Sequence, residues 1–219
     1  MANLPDLNGP EAEPSSTSKP EQLIILVHGY GADGNDLFSL GQYFGQIAPG
    51  AAIIAPNAPY RCQASPFGFQ WYDVWLQDPA ERLSAIRSTA AIFDNFIDQQ
   101  LDRWGLSADK LILIGFSQGT MMSLFAAPRR ETSVAGIVGY SGRMESPDLL
   151  ATEIRSKPPV VLVHGDSDEL LAVSEMETAA KTLEENGIPV ATHVRPGLGH
   201  GIDEEGIRIG VEFVGKALS

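Results

Sequence analysis

The sequence predicts an α/β fold, a mostly parallel central sheet with helices on both faces. Three observations carry that prediction. Short apolar runs such as Leu23–Val27, Leu111–Ile114 and Val160–His164 are bounded by Gly, Pro or polar residues, the pattern of buried strands. Other segments repeat apolar residues every three or four positions, the pattern of helices with one buried face. The two kinds alternate along the chain, and such alternation builds parallel strands joined by helical crossovers.

The elements follow in order. Residues 1–20 are rich in Pro, Ser and acidic residues and poor in apolar ones, so a disordered or loosely attached arm is expected there, with one domain over 21–219. Leu23–Val27 is a strand running into "HGYG", Asp36–Ile47 a helix, and Ala51–Ala55 a strand stopped by Pro56. Residues 56–79 read as irregular, with the aromatic cluster "WYDVW". Arg82–Trp104 is the plainest helix: Leu83, Ile86, Ala90, Phe93, Ile97, Leu101 and Trp104 share one face, and Gly105 suits the position past its end. A strand at 111–115, a helix from Gln118 to Ala127 and a strand at Val134–Tyr140 come next. A short helix near Pro147–Arg155 precedes a strand at Val160–His164. A helix over Val173–Asn186 then leads to a strand at Val190–Arg195. The last helix begins near Asp203, whose acidic neighbours Glu204 and Glu205 favour a helix N-terminus.

Composition narrows the function. The formal net charge is −13, from 15 Lys and Arg against 28 Asp and Glu, and such a surface repels nucleic acid and anionic lipid. A hydrophobic content of 43% over 219 residues is enough for one well-buried core. The single Cys62 cannot staple the chain, residues 1–20 contain no apolar signal region, and no apolar run reaches the roughly 18 residues of a membrane helix. These features predict a soluble, cytoplasmic protein. No spacing of His, Cys and carboxylates suggests a metal site, and no cofactor is expected.

In sheets of this kind chemistry collects at the carboxyl ends of the strands. Gly115-Phe116-Ser117-Gln118-Gly119 matches G-x-S-x-G between a predicted strand and a predicted helix, the context of a nucleophile elbow. There a serine sits on a strained turn, and side chains in place of the glycines would strike neighbouring backbone. A serine hydroxyl needs a base, and the base an orienting carboxylate, in the chain order Ser, acid, His. Of four histidines, His28 and His164 each end a strand before a Gly, which suits a structural or pocket-lining place; His193 lies inside a strand; His200 sits in the glycine-rich loop "PGLGHGI" and is the expected base. For the acid, "HGDSDELL" offers Asp168, further into its loop, with Asp166 as the alternative that would merely close the turn. The oxyanion donors should be backbone N–H groups, one from Gln118 at the start of a helix and one from Tyr30 in "HGYG", with side chains free to vary.

Together these blocks resemble the phospholipase/carboxylesterase family of α/β hydrolases, which includes the acyl-protein thioesterases. "LVHGYGADGNDL", "APNAPY", "WYDV", "GFSQGT", "HGDSDELL" and "GLGH" are similar, in order, to the family's sequence blocks, from about residue 23 to the C-terminus. The resemblance implies an α/β-hydrolase fold and hydrolysis of carboxylic esters, thioesters or lysophospholipids without metal or cofactor. It implies Ser117 as nucleophile, Asp168 as acid, His200 as base and oxyanion donors at Tyr30 and Gln118. The expected activity is a serine esterase acting on small-molecule esters of small to medium acyl groups, with long-chain thioesterase or lysophospholipase activity as the alternative and a non-catalytic binding module as the alternative of another class. Tyr30 and Thr120 depart from the family's usual Leu and small residue, and Glu169-Leu170-Leu171-Ala172 from its P-[LV]-V-P. Trp71, Leu170 and Leu171 are the expected substrate-lining residues, though the "WYDVW" aromatics suit core packing equally well. Exposed aromatics near 67–75 would also suit a homodimer.

Overall fold

The computed structural model describes residues 4–219. Seven strands form one sheet in the order β1-β3-β2-β6-β7-β8-β9. In chain order they are β1 (Glu11–Ala12), β2 (Gln22–Val27), β3 (Ala51–Ile54), β6 (Leu111–Phe116), β7 (Gly136–Tyr140), β8 (Val160–Gly165) and β9 (Val190–Arg195). All neighbours are parallel except β1 on β3. β4 (Tyr60–Arg61) and β5 (Phe69–Gln70) make a separate antiparallel pair. The helices are α1 (Gly34–Phe38), α2 (Gly41–Ile47), α3 (Pro79–Trp104), α4 (Gln118–Ala126), α5 (Leu150–Glu153), α6 (Val173–Glu185) and α7 (Glu204–Ala217).

Strand period and sheet burial explain the two-layered core. Successive side chains of a strand point to opposite faces. In β2, Leu23, Ile25 and Val27 join one cluster with α3, α4 and α6; Ile24 and Leu26 join the other with α1, α2 and α7. β6 divides likewise, Leu111 and Leu113 against Ile112 and Ile114. Strands buried on both faces carry continuous apolar runs, which is why they are readable. α4 is buried along its whole length, and it packs behind β6 as the central helix.

The chain leaves β2 toward β3 on one side and returns to β6 on the other. The loops after β2 and β6 therefore diverge, and a crevice opens at their carboxyl ends, the usual ligand position in an open α/β sheet.

Four expectations are corrected. The N-terminal arm is not loosely attached over residues 4–20; residues 1–3 lie outside the described residues. Glu11 and Ala12 pair antiparallel with Ile54 and Ile53, the Ala55 N–H donates to Pro10 O at 3.0 Å, and Leu7 is buried. Arg103 on α3 holds the Glu11 carboxylate with both terminal nitrogens, at 2.7 and 2.9 Å. A segment too polar to make its own core is ordered here by an unpaired sheet edge. The expected helix 36–47 is two helices, the first started by Asp33, whose carboxylate accepts from the N–H groups of Asn35 and Asp36. The irregular stretch 56–79 contains the β4–β5 pair, and the Arg61 guanidinium lies 4.4 Å from the Phe69 ring centre. The helix near 147–155 shortens to a 3-10 turn at Pro147–Leu149 and a single turn in α5.

Candidate active site

Ser117 joins β6 to α4 with φ 51° and ψ −115°, a conformation that a residue with a side chain seldom adopts. Neighbours hold it there. The Ser117 N–H donates to Tyr140 O at 2.9 Å, and the Thr120 hydroxyl reaches Gly115 O at 2.8 Å and Tyr140 O at 2.9 Å. A Cβ on Gly119 would lie 1.8 Å from Val27 O, and one on Gly115 2.5 Å from Thr120 N, so both flanking glycines are required by backbone contact. The departure at Thr120 is accommodated by glycines opposite it: a Cβ on Gly139 or Gly142 would come within 2.6 or 2.4 Å of the Thr120 side chain.

His200 lies 83 residues beyond Ser117 in sequence, yet its Nε2 accepts from the Ser117 hydroxyl at 3.0 Å. Its Nδ1 donates to Asp168 Oδ2 at 2.7 Å. The Phe116 ring packs against the imidazole with centres 5.0 Å apart, and Ser141 Oγ donates to Gly201 O at 3.1 Å, tethering the histidine loop to the end of β7. The Asp168 side chain is fully buried. Its Oδ1 accepts from the N–H groups of Leu170 and Leu171, each at 2.9 Å. Burial would raise this carboxyl, but the Leu171 N–H, His200 and the Leu170 N–H outweigh it and hold Asp168 below the usual carboxylate range.

Asp166, the alternative acid, does not face His200. Its Oδ1 accepts from Gly197 N–H at 2.7 Å and Ser167 Oγ at 3.0 Å, closing the turn. His193 is exposed on edge strand β9. His28 is buried, donating from Nδ1 to Gly29 O at 2.7 Å and accepting at Nε2 from Ala58 N–H at 3.0 Å, and burial lowers its pKa.

The loop after β2 crosses the elbow closely: a Cβ on Gly29 would lie 3.4 Å from Ser117 Cβ. Gln118 opens α4, so its N–H has no carbonyl one turn earlier in the helix. The expectation that the Gln118 side chain is free to vary is corrected. Fully buried, it accepts from Trp71 N–H at 2.9 Å and donates to Tyr72 O at 2.8 Å, acting as an extra peptide unit between the elbow and the 71–72 segment. Tyr30 Oη accepts from Trp75 Nε1 at 3.3 Å.

Trp71 does not line a substrate space. It has no exposed surface, its Nε1 donates to His28 O at 2.9 Å, and it packs edge-on against Phe93. Tyr72 is buried with it, whereas Phe67 and Trp75 are exposed. Of the two expected leucines, Leu170 is 75% exposed and Leu171 packs partly into the core. Sequence reasoning missed the Gln118 bridge and a contact from His164 to Asp168, since both are made by residues already accounted for as a backbone donor and a strand end.

A serine hydroxyl bonded to an imidazole that is bonded to a buried carboxylate can carry out acyl transfer. The comparisons with known proteins point the same way. The family model described as phospholipase/carboxylesterase matches residues 11–218. The chain belongs to that family. Its fold superposes on the crystal structure of esterase PE8 with a TM-score of 0.92 and 36% identity, covering 97% of this chain and 100% of that one. The acyl-protein thioesterase 1 of Kluyveromyces lactis is 29% identical over 220 residues, covering 93% of this chain and 96% of the relative. Esterase YpfH of Escherichia coli is 25% identical over 200 residues, covering 91% and 84%. Family members thus carry both esterase and thioesterase names. Among the described residues, no group of His, Cys, Asp and Glu could hold a metal ion and no helix is long and apolar enough to cross a membrane.

Proposed function

We propose that this chain is a serine carboxylesterase that hydrolyses carboxylic esters of small to medium acyl groups. The observation that carries the reading is the chain of contacts from Ser117 Oγ to His200 Nε2 at 3.0 Å and from His200 Nδ1 to Asp168 Oδ2 at 2.7 Å. Ser117 is the nucleophile. As its oxygen attacks the acyl carbon, its proton passes to His200 Nε2, and Asp168 steadies the imidazolium that forms. The oxyanion of the tetrahedral intermediate takes hydrogen bonds from the backbone N–H groups of Gln118 and Tyr30. Collapse expels the alcohol, which takes the proton from His200, and leaves an acyl-serine. Water then enters, gives its proton to His200, and releases the acid by the same steps reversed.

A second reading, hydrolysis of long-chain acyl thioesters, has one observation in its favour. Leu170, two residues from Asp168, is 75% exposed and offers apolar surface at the loop that carries the acid. The reading also places the enzyme in the cytoplasm, a reducing compartment that suits one buried, free Cys62.

Two measurements test this. A fluorophosphonate probe should label the protein at Ser117; an unlabelled, folded protein would mean a binding module. A series of p-nitrophenyl esters and acyl thioesters should then show higher kcat/KM for butyryl than for palmitoyl groups. The opposite order would replace the main reading by the second.

A further inference from the structure

The histidine that ends β8 stands outside the serine–imidazole–carboxylate chain and still touches it. The His164 side chain is 1% exposed, and its Nε2 lies 2.9 Å from Leu171 O and 3.2 Å from Asp168 Oδ2. Both neighbours are acceptors, one a carbonyl and one a carboxylate, so the ring hydrogen belongs on Nε2; it donates to Leu171 O, and Asp168 Oδ2 lies beside it in electrostatic contact, outside hydrogen-bond geometry. The opposite nitrogen, Nδ1, is buried with no partner among the described residues. A hydrogen there would have no acceptor, so the pocket selects the Nε2–H tautomer from both ends of the ring.

The consequence falls on Asp168. Its Oδ1 is fixed by the Leu170 and Leu171 N–H groups, both from its own loop. A carboxylate held at one oxygen can still turn its second oxygen about that anchor. Oδ2 is the atom that must meet His200 Nδ1, and His164 supplies its other contact, from the end of a sheet strand rather than from the loop. The His164 N–H donates to Leu171 O, and the Leu171 N–H holds Asp168 Oδ1, so one donor ties the loop that carries the carboxylate to β8.

We propose that His164 is a positioning residue of this hydrolase: its Nε2–H, bonded to Leu171 O and 3.2 Å by its nitrogen from Asp168 Oδ2, steadies the carboxylate so that Oδ2 meets His200 Nδ1. This rests on the catalytic role proposed above for Ser117, His200 and Asp168. His164 moves no proton in the reaction. It acts through Asp168 on the orientation of the imidazole, so its loss should appear in kcat and leave KM nearly alone.

The first test uses the unaltered protein. Heteronuclear imidazole spectra should show His164 as the Nε2–H tautomer, and finding the Nδ1–H tautomer overturns the proposal. The second compares two variants. His164→Phe keeps a ring without a donor, whereas His164→Gln keeps an N–H at about the reach of Nε2. Losing the bond to Leu171 O and the contact with the Asp168 carboxylate predicts that His164→Phe lowers kcat on p-nitrophenyl butyrate by about tenfold. Its KM should stay within about twofold, and the low-field Nδ1–H proton resonance of His200 should move upfield. His164→Gln should keep that resonance and restore kcat to within about threefold of the parent. A folded His164→Phe with parental kcat and resonance overturns the proposal, as does a His164→Gln as impaired as His164→Phe. If His164→Phe does not fold, the Gln variant and the tautomer decide alone: a shifted His200 resonance in a folded His164→Gln overturns it. The two spectroscopic readouts need no substrate. A protein that passes both and hydrolyses no ester would sink the esterase reading and leave the His164–Asp168 contact in place.

Discussion

Two aspartates stand two residues apart in one loop, and the residue scale separates them by their partners. Asp168 is enclosed and bonded to His200 Nδ1, whereas Asp166 is exposed and bonded to the Gly197 N–H. An amide at 168 could donate to Nδ1 and favour the tautomer with its hydrogen on Nε2, where the serine proton must go. Asp168→Asn should therefore keep the fold and lower kcat by as much as about 10⁴-fold. Asp166→Asn should leave kcat nearly unchanged and cost about 1 kcal/mol of stability through the weakened turn. Steady-state kinetics beside denaturant melts of the two variants make the check. A large kcat loss at 166 and none at 168 would reverse the assignment. Both aspartates were visible in "HGDSDELL", and their order in the loop pointed to the second. The bonds that make the choice physical come from residues 195–200, which no local pattern places beside this loop.

Elements were legible in proportion to how completely they are buried. β2, β6 and β8 are apolar on both faces, so their runs announce themselves, and the observed bounds fall within one residue of those expected. α3 was readable from its one-sided stripe, although its start at Pro79, capped by the Asp78 carboxylate, lies three residues earlier than the stripe suggests. What stayed hidden is ordered by contacts made elsewhere. β1 consists of Glu11 and Ala12, and nothing in those residues says strand; the open edge of β3 makes them one. The β4–β5 pair is likewise held by the loop after β2, through Gly31 N–H to Phe69 O at 2.9 Å and Phe69 N–H to Ala32 O at 2.7 Å. The arm gives the prediction that belongs to this scale. Deleting residues 1–20 strips the edge of β3 and uncovers the surface under Leu7, so stability should drop by about 1–3 kcal/mol. Urea denaturation reads this as a lower midpoint with a nearly unchanged slope. An unchanged midpoint would mean that the arm adds no stability to the domain.

At the scale of the whole molecule, acidity and burial set the pH range in which the fold and the chemistry can coexist. The charge of −13 makes the native surface self-repelling at neutral pH, and with a sequence pI near 4.6 acidification first relieves that repulsion. Acid unfolding must therefore come from particular groups, buried His28, whose pKa burial lowers, and carboxylates held low in the fold. Burial would raise both Asp168 and Glu153, but hydrogen bonds outweigh it in the first, and Arg129 with Arg87 outweighs it in the second, so both are held low. Groups depressed on folding contribute their stability in full above the unfolded value, about 4 for the carboxylates and about 6.5 for His28, and lose it as pH falls through the folded values. Tyr72 and Tyr140 act at the other end. Burial pushes both phenols up, helped by the charges of Glu145 and Asp203 respectively. A raised phenol contributes fully below the unfolded value, about 10, and loses that contribution as pH climbs toward the folded one. Stability should thus be level from about pH 7 to pH 9 and fall on both sides, on the acid side first through buried His28 and then through the carboxylates. Activity should narrow this window on its acid side, because the mechanism needs an imidazole free to accept the serine proton. Melting temperature and kcat/KM measured across the same buffers distinguish the two processes. A loss of kcat/KM on acidification while the melting temperature still lies well above the assay temperature is the expected result. If activity and fold fail together in acid, the fall in rate reports melting, and the argument for an imidazole base loses its pH support.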